Sequence, residues 1–352
     1  MSSTLTPKQL AFDAAVKAQS NFDYRSIADL EALRERDASL SLFIDHLIGI
    51  RESMNAALAV EGQNIIGDAP HAPFYFDYID SARSQGLAFK DADHSFVGVT
   101  IPLVFDVRDI ARLIAESEAV VSGIGLPHDV DRDNLQVVLF WMLFGFILSH
   151  EYAHHTHGHW TAINDGRPTR GKLRRQAREA EADGWAAYLT LSHWLLAAGR
   201  PLLLDLLNVE DAPTTVQDDA VACFVVAQAA FTFLREPEPV DKDKVYWGTH
   251  PPQPIRLHLM SRFVLKFSGE FRPAIRETLT QLRYQSLMDA MSRLMWTRGK
   301  HAALWREHNE FLRTSDGVAY RNALIAELDA FRATLRQWEA EAKMRVALPS
   351  NF

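Results

Sequence analysis

His150, Glu151 and His154 form the pattern His-Glu-x-x-His within the stretch Phe144–Trp160. On a helix, residues four apart share a face, so the imidazoles of His150 and His154 can point at a single ion. Glu151 is offset from that face, where its carboxylate can hold a water beside the ion rather than the ion itself. Two nitrogen ligands with an adjacent carboxylate make the helix of a zinc hydrolase, in which the metal activates a water and the glutamate takes its proton.

A catalytic zinc needs a third protein ligand and an open fourth position. His157 lies on the same helical face, but His150 to His157 spans about 10 Å along the axis, too far to share one ion comfortably. His159 lies beyond a helix break expected at Gly158. The third candidate is the acidic segment Arg178-Glu179-Ala180-Glu181-Ala182-Asp183-Gly184-Trp185 on a later helix. There Glu179 and Asp183 share a face, while Glu181 points roughly the opposite way. One carboxylate can ligate the metal while the other accepts the second N–H of a ligating imidazole. Read alone, the segment would be a solvated acidic face answering Lys172, Arg174, Arg175 and Arg178. With the upstream motif, Glu179 is favoured as ligand.

Three blocks then stand in order: His150-Glu-Tyr-Ala-His154-x-x-x-Gly158-His159, Arg178-Glu179-x-x-Ala182-Asp183, and Gly248-Thr-His250-Pro-Pro252-x-x-x-Arg256. Together they resemble the gluzincin metallopeptidases related to the CaaX prenyl proteases, HtpX and the Oma proteases. The glutamate segment is also similar to that of ImmA-type regulatory proteases and phage-exclusion peptidases. The resemblance covers about residues 140–260. It implies one zinc ion held by His150, His154 and Glu179, Glu151 as general base, Asp183 as the carboxylate behind a ligand, and His250 with Arg256 at the edge of the site. His159 is expected beside the ligands rather than among them, and His155 and His157 are expected at the surface near a turn.

His250 stands in a Thr-His-Pro-Pro turn whose prolines stiffen the backbone and fix where the ring points. It can donate a hydrogen bond to a developing oxyanion, or simply pack at the turn and orient the acidic helix. Tyr152, Tyr188 and Tyr246 are further oxyanion candidates. The reaction class is hydrolysis of a peptide amide, with Glu151 returning its proton to the leaving amine. The expected activity is a zinc metalloendopeptidase. The alternatives are a regulatory or phage-defence protease of narrow specificity and a non-catalytic metal-binding interaction protein. A di-iron carboxylate site would need a second Glu-x-x-His, which the chain lacks.

The elements around these residues read as mainly α within an α+β class. Amphipathic helices are expected over 7–20, over 26–61 with Ser26 as N-cap, and over 107–121. The metal helix should begin near Asp131–Asn134 and end by Gly158. Further helices are expected at about 172–198, 215–235, 255–267, 275–297 and 318–343. Glycines 62 and 67 with Pro70, the segment 166–171, and Pro237–Lys244 read as breaks or loops. Phe74–Ile79 and Ser95–Phe105 are rich in aromatic and β-branched residues and suit a small antiparallel sheet. Pro102 puts the second of these at a sheet edge or strand end. An edge strand beside a metal site would let a substrate peptide add as a further strand. The expected organisation is one mainly helical domain, with residues 71–268, around the stretch that bears the resemblance, as a zincin-like core and helical regions at 1–70 and 269–352.

Composition bounds the partners. The chain carries 37 basic and 45 acidic residues, a net charge of −8, which argues against nucleic-acid binding by bulk charge. Its single cysteine, Cys223, excludes an internal disulfide and a Cys-based zinc cluster, and sits in an apolar run as a small buried hydrophobe. No secretory signal stands at the N-terminus, and the longest apolar run, Val137–Leu148, reads as a buried core helix too short to span a bilayer. The expectation is a cytoplasmic protein without stable membrane insertion, acting on a protein or peptide substrate with no cofactor besides the metal.

Overall fold

The computed structural model describes residues 5–19, 23–61, 74–91, 93–126, 128–159, 171–196, 199–207, 215–234, 244–271, 290 and 300–347. The helix expected at 275–297, save for Ala290, and the breaks expected at 62–70, 166–170 and 237–243 lie outside these residues, as does Trp160. The described chain is mostly helical with one small four-stranded sheet. It divides into two compact units, residues 1–106 with 151–162 and 337–352, and residues 107–150 with 163–336.

In the first unit, helix α1 (Pro7–Lys17) opens with a capping box. The Thr6 hydroxyl accepts from the Gln9 amide, the Gln9 side chain reaches back to the Thr6 amide, and Pro7 supplies its fixed φ in the first turn. Strand β1 (Tyr24–Ile27) follows, then α2 (Leu30–Arg36) and α3 (Ser41–Glu61). The single helix expected over 26–61 is therefore the end of β1, α2, a short 3-10 turn at Ala38–Leu40 and α3. Asp29 rather than Ser26 caps α2, accepting from the Ala32 amide. Asp37 takes an extended conformation and bonds the Ser39 amide at 3.0 Å, ending α2 and restarting the chain. Aspartate side chains compete for backbone amides in this way and favour caps over helix interiors.

The sheet runs in the order β1, β2 (Phe74–Ser81), β4 (Ser95–Thr100), β3 (Gly86–Lys90). The two strands expected from the sequence, β2 and β4, pair in parallel rather than antiparallel, Phe74 opposite Ser95 through Ile79 opposite Thr100, while the β1–β2 and β3–β4 pairings are antiparallel. The sheet is thus mixed, because the chain crosses over between β2 and β4 and leaves β3 on the outside. Along β2, Tyr75, Asp77 and Ile79 face α1, where Phe12 packs its ring 5.8 Å from Tyr75 and 5.5 Å from Phe96. Alternate residues face α3, with the Tyr78 hydroxyl donating to the Leu47 carbonyl. A strand covered on both faces accounts for a run of buried residues with little polar alternation. β4 is central and ends at Thr100. Pro102 falls in the first turn of helix α4 (Ile101–Ala115), where a missing amide costs nothing.

The second unit is helical. After α4 come α5 (Glu118–Ile124), closed by Gly125 at φ 87°, and α6 (Arg132–Thr156), whose start is capped by Asp131 accepting from the amides of Asp133 and Asn134. Then follow α7 (Leu173–Leu196), α8 (Gly199–Leu207), α9 (Thr215–Leu234), α10 (Gln253–Phe271), α11 (Lys300–Arg313) and α12 (Ser315–Ala347). Helices α8, α9 and α10 pack on α7. Tyr320 and Leu324 of α12 share a core with Leu173, Ala177 and Ala180 of α7. Helix α6 passes from the second unit into the first between His150 and Glu151. At 25 residues it is long and apolar enough to cross a membrane, although only a dozen of its residues form an unbroken apolar run. In its most apolar window 61% is buried inside the protein.

Candidate metal centre

The apolar part of α6 is core: Leu139, Leu143 and Phe144 are buried, and Phe146 packs its ring 5.9 Å from Phe224 of α9. That burial fixes the roll of the helix and so fixes which way its last two turns point. His150 presents Nε2 to the Glu179 carboxylate of α7, 3.4 Å from Oε2, and Nδ1 to Asp183, 3.0 Å from Oδ1. The sequence reading of Glu179 and Asp183 as neighbours one turn apart on α7 thus has both reaching the same imidazole from one helix face.

Asp183 is 1% exposed and is gripped by Arg256 of α10, whose Nε and Nη2 donate to the two carboxylate oxygens at 2.8 and 2.7 Å. Burial alone would raise the Asp183 pKa. The Arg256 charge and its two hydrogen bonds, with His150 beyond them, outweigh burial and hold the carboxyl well below the ordinary range. The carboxylate is therefore ionised and aimed at Nδ1, the arrangement that fixes an imidazole as N–H at Nδ1 and lone pair at Nε2.

His154 is oriented from a different side. Helix α6 ends at Thr156, and Gly158 takes the left-handed conformation at φ 60°. The His159 amide then returns to the His154 carbonyl at 3.1 Å. This turn swings the His159 ring over the last helical turn, where its Nδ1 lies 2.7 Å from Nδ1 of His154. The expectation of surface positions for His155 and His157 does not hold: both are buried. His155 Nε2 reaches the Phe96 carbonyl of β4 at 2.9 Å, and its ring meets Phe74 edge-on. Burial pushes its pKa down to about 4, so it is a neutral strut between helix and sheet. The partner is distant in sequence, so a local reading of a histidine-rich turn could not find it.

Glu151 lies against the start of β3. A Cβ on Gly86 would stand 2.7 Å from Glu151 Oε1, so the carboxylate occupies space that only glycine leaves. Tyr24 of β1 is also near: its hydroxyl, which accepts from Gln85, has its pKa raised first by burial and then by the Glu151 charge. Neither residue was singled out by sequence, and the only signal for Gly86 was a glycine at a strand end. His250 stands 48% exposed, with Nε2 3.2 Å from Glu179 Oε2 and Nδ1 2.9 Å from the Thr249 hydroxyl. Of the tyrosines considered as oxyanion donors, Tyr152 packs its ring on Phe74, Tyr188 stacks on Trp185 and Tyr246 lies edge-on to Tyr320.

One donor atom from each of His150, His154 and Glu179 lies within 4.8 Å of the others, a group able to hold a metal ion. His157, His159 and Glu181 form a second such group. In the first, two imidazoles and one carboxylate, largely withdrawn from water, suit a borderline ion such as zinc.

A peptidase family model matches this region. The Peptidase U49 model aligns with residues 118–271, which run from α5 to the end of α10 and include every residue of the first group together with Glu151, Asp183, His250 and Arg256. No curated protein and no solved structure matches the chain. The Peptidase U49 match supports a proteolytic function acting on protein or peptide substrates.

Proposed function

We propose that the chain is a zinc-dependent metalloendopeptidase of the gluzincin kind, acting in the cytoplasm on a protein or peptide substrate. The observation that carries this reading is the convergence of His150, His154 and Glu179 donors within 4.8 Å, with Glu151 next to the first of them. A zinc ion held by His150, His154 and Glu179 would supply Lewis acidity for a water and for the scissile carbonyl. Glu151 takes the proton of the attacking water and passes it to the leaving amine. Asp183, kept ionised by Arg256, holds His150 at Nδ1, and His159 does the same for His154, directing both Nε2 atoms to coordination. His250 donates to the oxyanion as it develops. Strand β3 is an edge of the sheet and begins against Glu151, so a substrate backbone can add to it and bring its carbonyl to the base. A non-catalytic metal site would have no use for a carboxylate packed in this position.

The full-length protein should bind one zinc per chain by elemental analysis. His150→Ala and Glu179→Ala should lose it, whereas Glu151→Gln should keep the metal and lose hydrolysis by at least about a hundredfold, as expected for a general base. Cleavage profiling of a proteome with wild type against Glu151→Gln identifies the substrates. Full zinc retention by Glu179→Ala removes that residue from the ligand set, and undiminished cleavage by Glu151→Gln ends the catalytic reading.

A further inference from the structure

His250 is half exposed and rides on the loop from Lys244 to Pro251, so the course of that backbone decides where its ring can stand. The loop backbone is tied down at several points. Lys172 donates its amide to the Tyr246 carbonyl at 2.7 Å, and Gly171, at φ 60°, approaches so closely that a Cβ there would stand 2.4 Å from the same oxygen. The chief tie is Gln176, which lies one turn before Glu179 on α7 and is fully buried. Its Nε2 donates to the carbonyls of Val245 at 2.8 Å and Gly248 at 2.9 Å, and its Oε1 accepts from the Tyr320 hydroxyl at 2.6 Å. Both amide hydrogens go to the loop and the carbonyl oxygen to Tyr320, so the side chain has no rotamer freedom left. Tyr320 comes from α12, 144 residues away, and is itself fully buried with its ring 5.1 Å from that of Tyr246.

We propose that Gln176 and Tyr320 are positioning residues for His250: Tyr320 locks the Gln176 amide, and Gln176 sets the loop backbone two residues before the histidine. This rests on the reading of His250 as an oxyanion donor. A donor must sit within hydrogen-bond reach of where charge develops, and an error of about 1 Å costs on the order of a hundredfold in rate. Glu179 and Gln176 stand on one helix, so the network sets the histidine in the same frame as the third ligand. The C-terminal helix thereby becomes part of the machinery rather than a layer added to it.

The test uses the full zinc-loaded chain. Gln176→Met keeps length and volume while deleting all three hydrogen bonds, and Tyr320→Phe deletes one. Both should retain one zinc. Turnover should fall about tenfold for Gln176→Met, the weight of an ordinary hydrogen bond or two, and less for Tyr320→Phe, with KM changing less than kcat. In a His250→Ala background the Gln176→Met loss should shrink to less than about twofold, because residues acting through one group are not additive. An equal loss in both backgrounds, or none in either, overturns the proposal. Amide hydrogen exchange over residues 244–250 gives a readout independent of activity: it should quicken about tenfold in Gln176→Met and measurably in Tyr320→Phe, and unchanged exchange overturns the positioning role. Should wild type cleave nothing, the peptidase reading fails while the exchange result still decides the network. If Gln176→Met does not fold, Tyr320→Phe carries both measurements.

Discussion

Glu151 depends on an atom that is missing. Residue 86 has no Cβ, and the Glu151 carboxylate uses that gap, so Gly86→Ala would force an oxygen now 2.7 Å from the new carbon to move. The expected result is full zinc content with kcat lowered by roughly ten- to a hundredfold, since displacement of a reacting group by a fraction of an ångström is costly. Steady-state kinetics beside metal analysis would check it, and unchanged turnover would mean that Glu151 has another productive position. The spacing of the neighbouring residues was legible in the sequence. His150 with His154, and Glu179 with Asp183, are spaced by a helical turn, and that spacing is a local property of the chain. The contacts of Glu151 with Gly86 and of His155 with the Phe96 carbonyl join helix to sheet across long stretches of chain, and no local pattern encodes them. Clustered histidines read as a wet turn until the strand that covers them is known.

Among the elements, the α7–α10 pair bears the most on the site, since it supplies Glu179, Asp183 and Arg256. Its close approach is permitted at Gly184, where a Cβ would stand 2.5 Å from the Phe263 ring. Gly184→Val should therefore push the helices apart and destabilise the protein by about 1–3 kcal/mol, the usual cost of overpacking. A shift of the urea midpoint at constant slope would register it, and zinc affinity should fall as well because Asp183 precedes the glycine and moves with it. A midpoint within error of wild type would show that the Phe263 ring yields freely. The long helices α6, α7, α9 and α12 were legible from their helical pattern, and the ends of α6 from Asp131 and Gly158. The stretch 26–61 was not, because apolar spacing continues through Asp29 and Asp37 while their side chains break the backbone pattern. Strand β1, four residues long, has too little sequence to alternate.

For the molecule as a whole, mainly helical class followed from the dominance of helical periodicity, whereas the parallel β2–β4 pairing depends on a crossover that strand composition does not reveal. Helix α6 has a consequence that reaches past the site it carries. Among the described residues it is the helix long and apolar enough for a bilayer, and it holds two of the three candidate ligands, His150 and His154, at its polar end. A ligand that binds only the native state adds to its stability, so stripping the metal with a chelator should lower the midpoint of heat denaturation. Once α6 is exposed, chains should stick through it faster than they refold, giving transitions that depend on scan rate and leave turbid samples. Calorimetry at several heating rates, with and without chelator, checks this; a fully reversible, rate-independent transition would count against it. Scarcity of metal would then do more than silence the protein: it would shorten how long each copy survives before it precipitates.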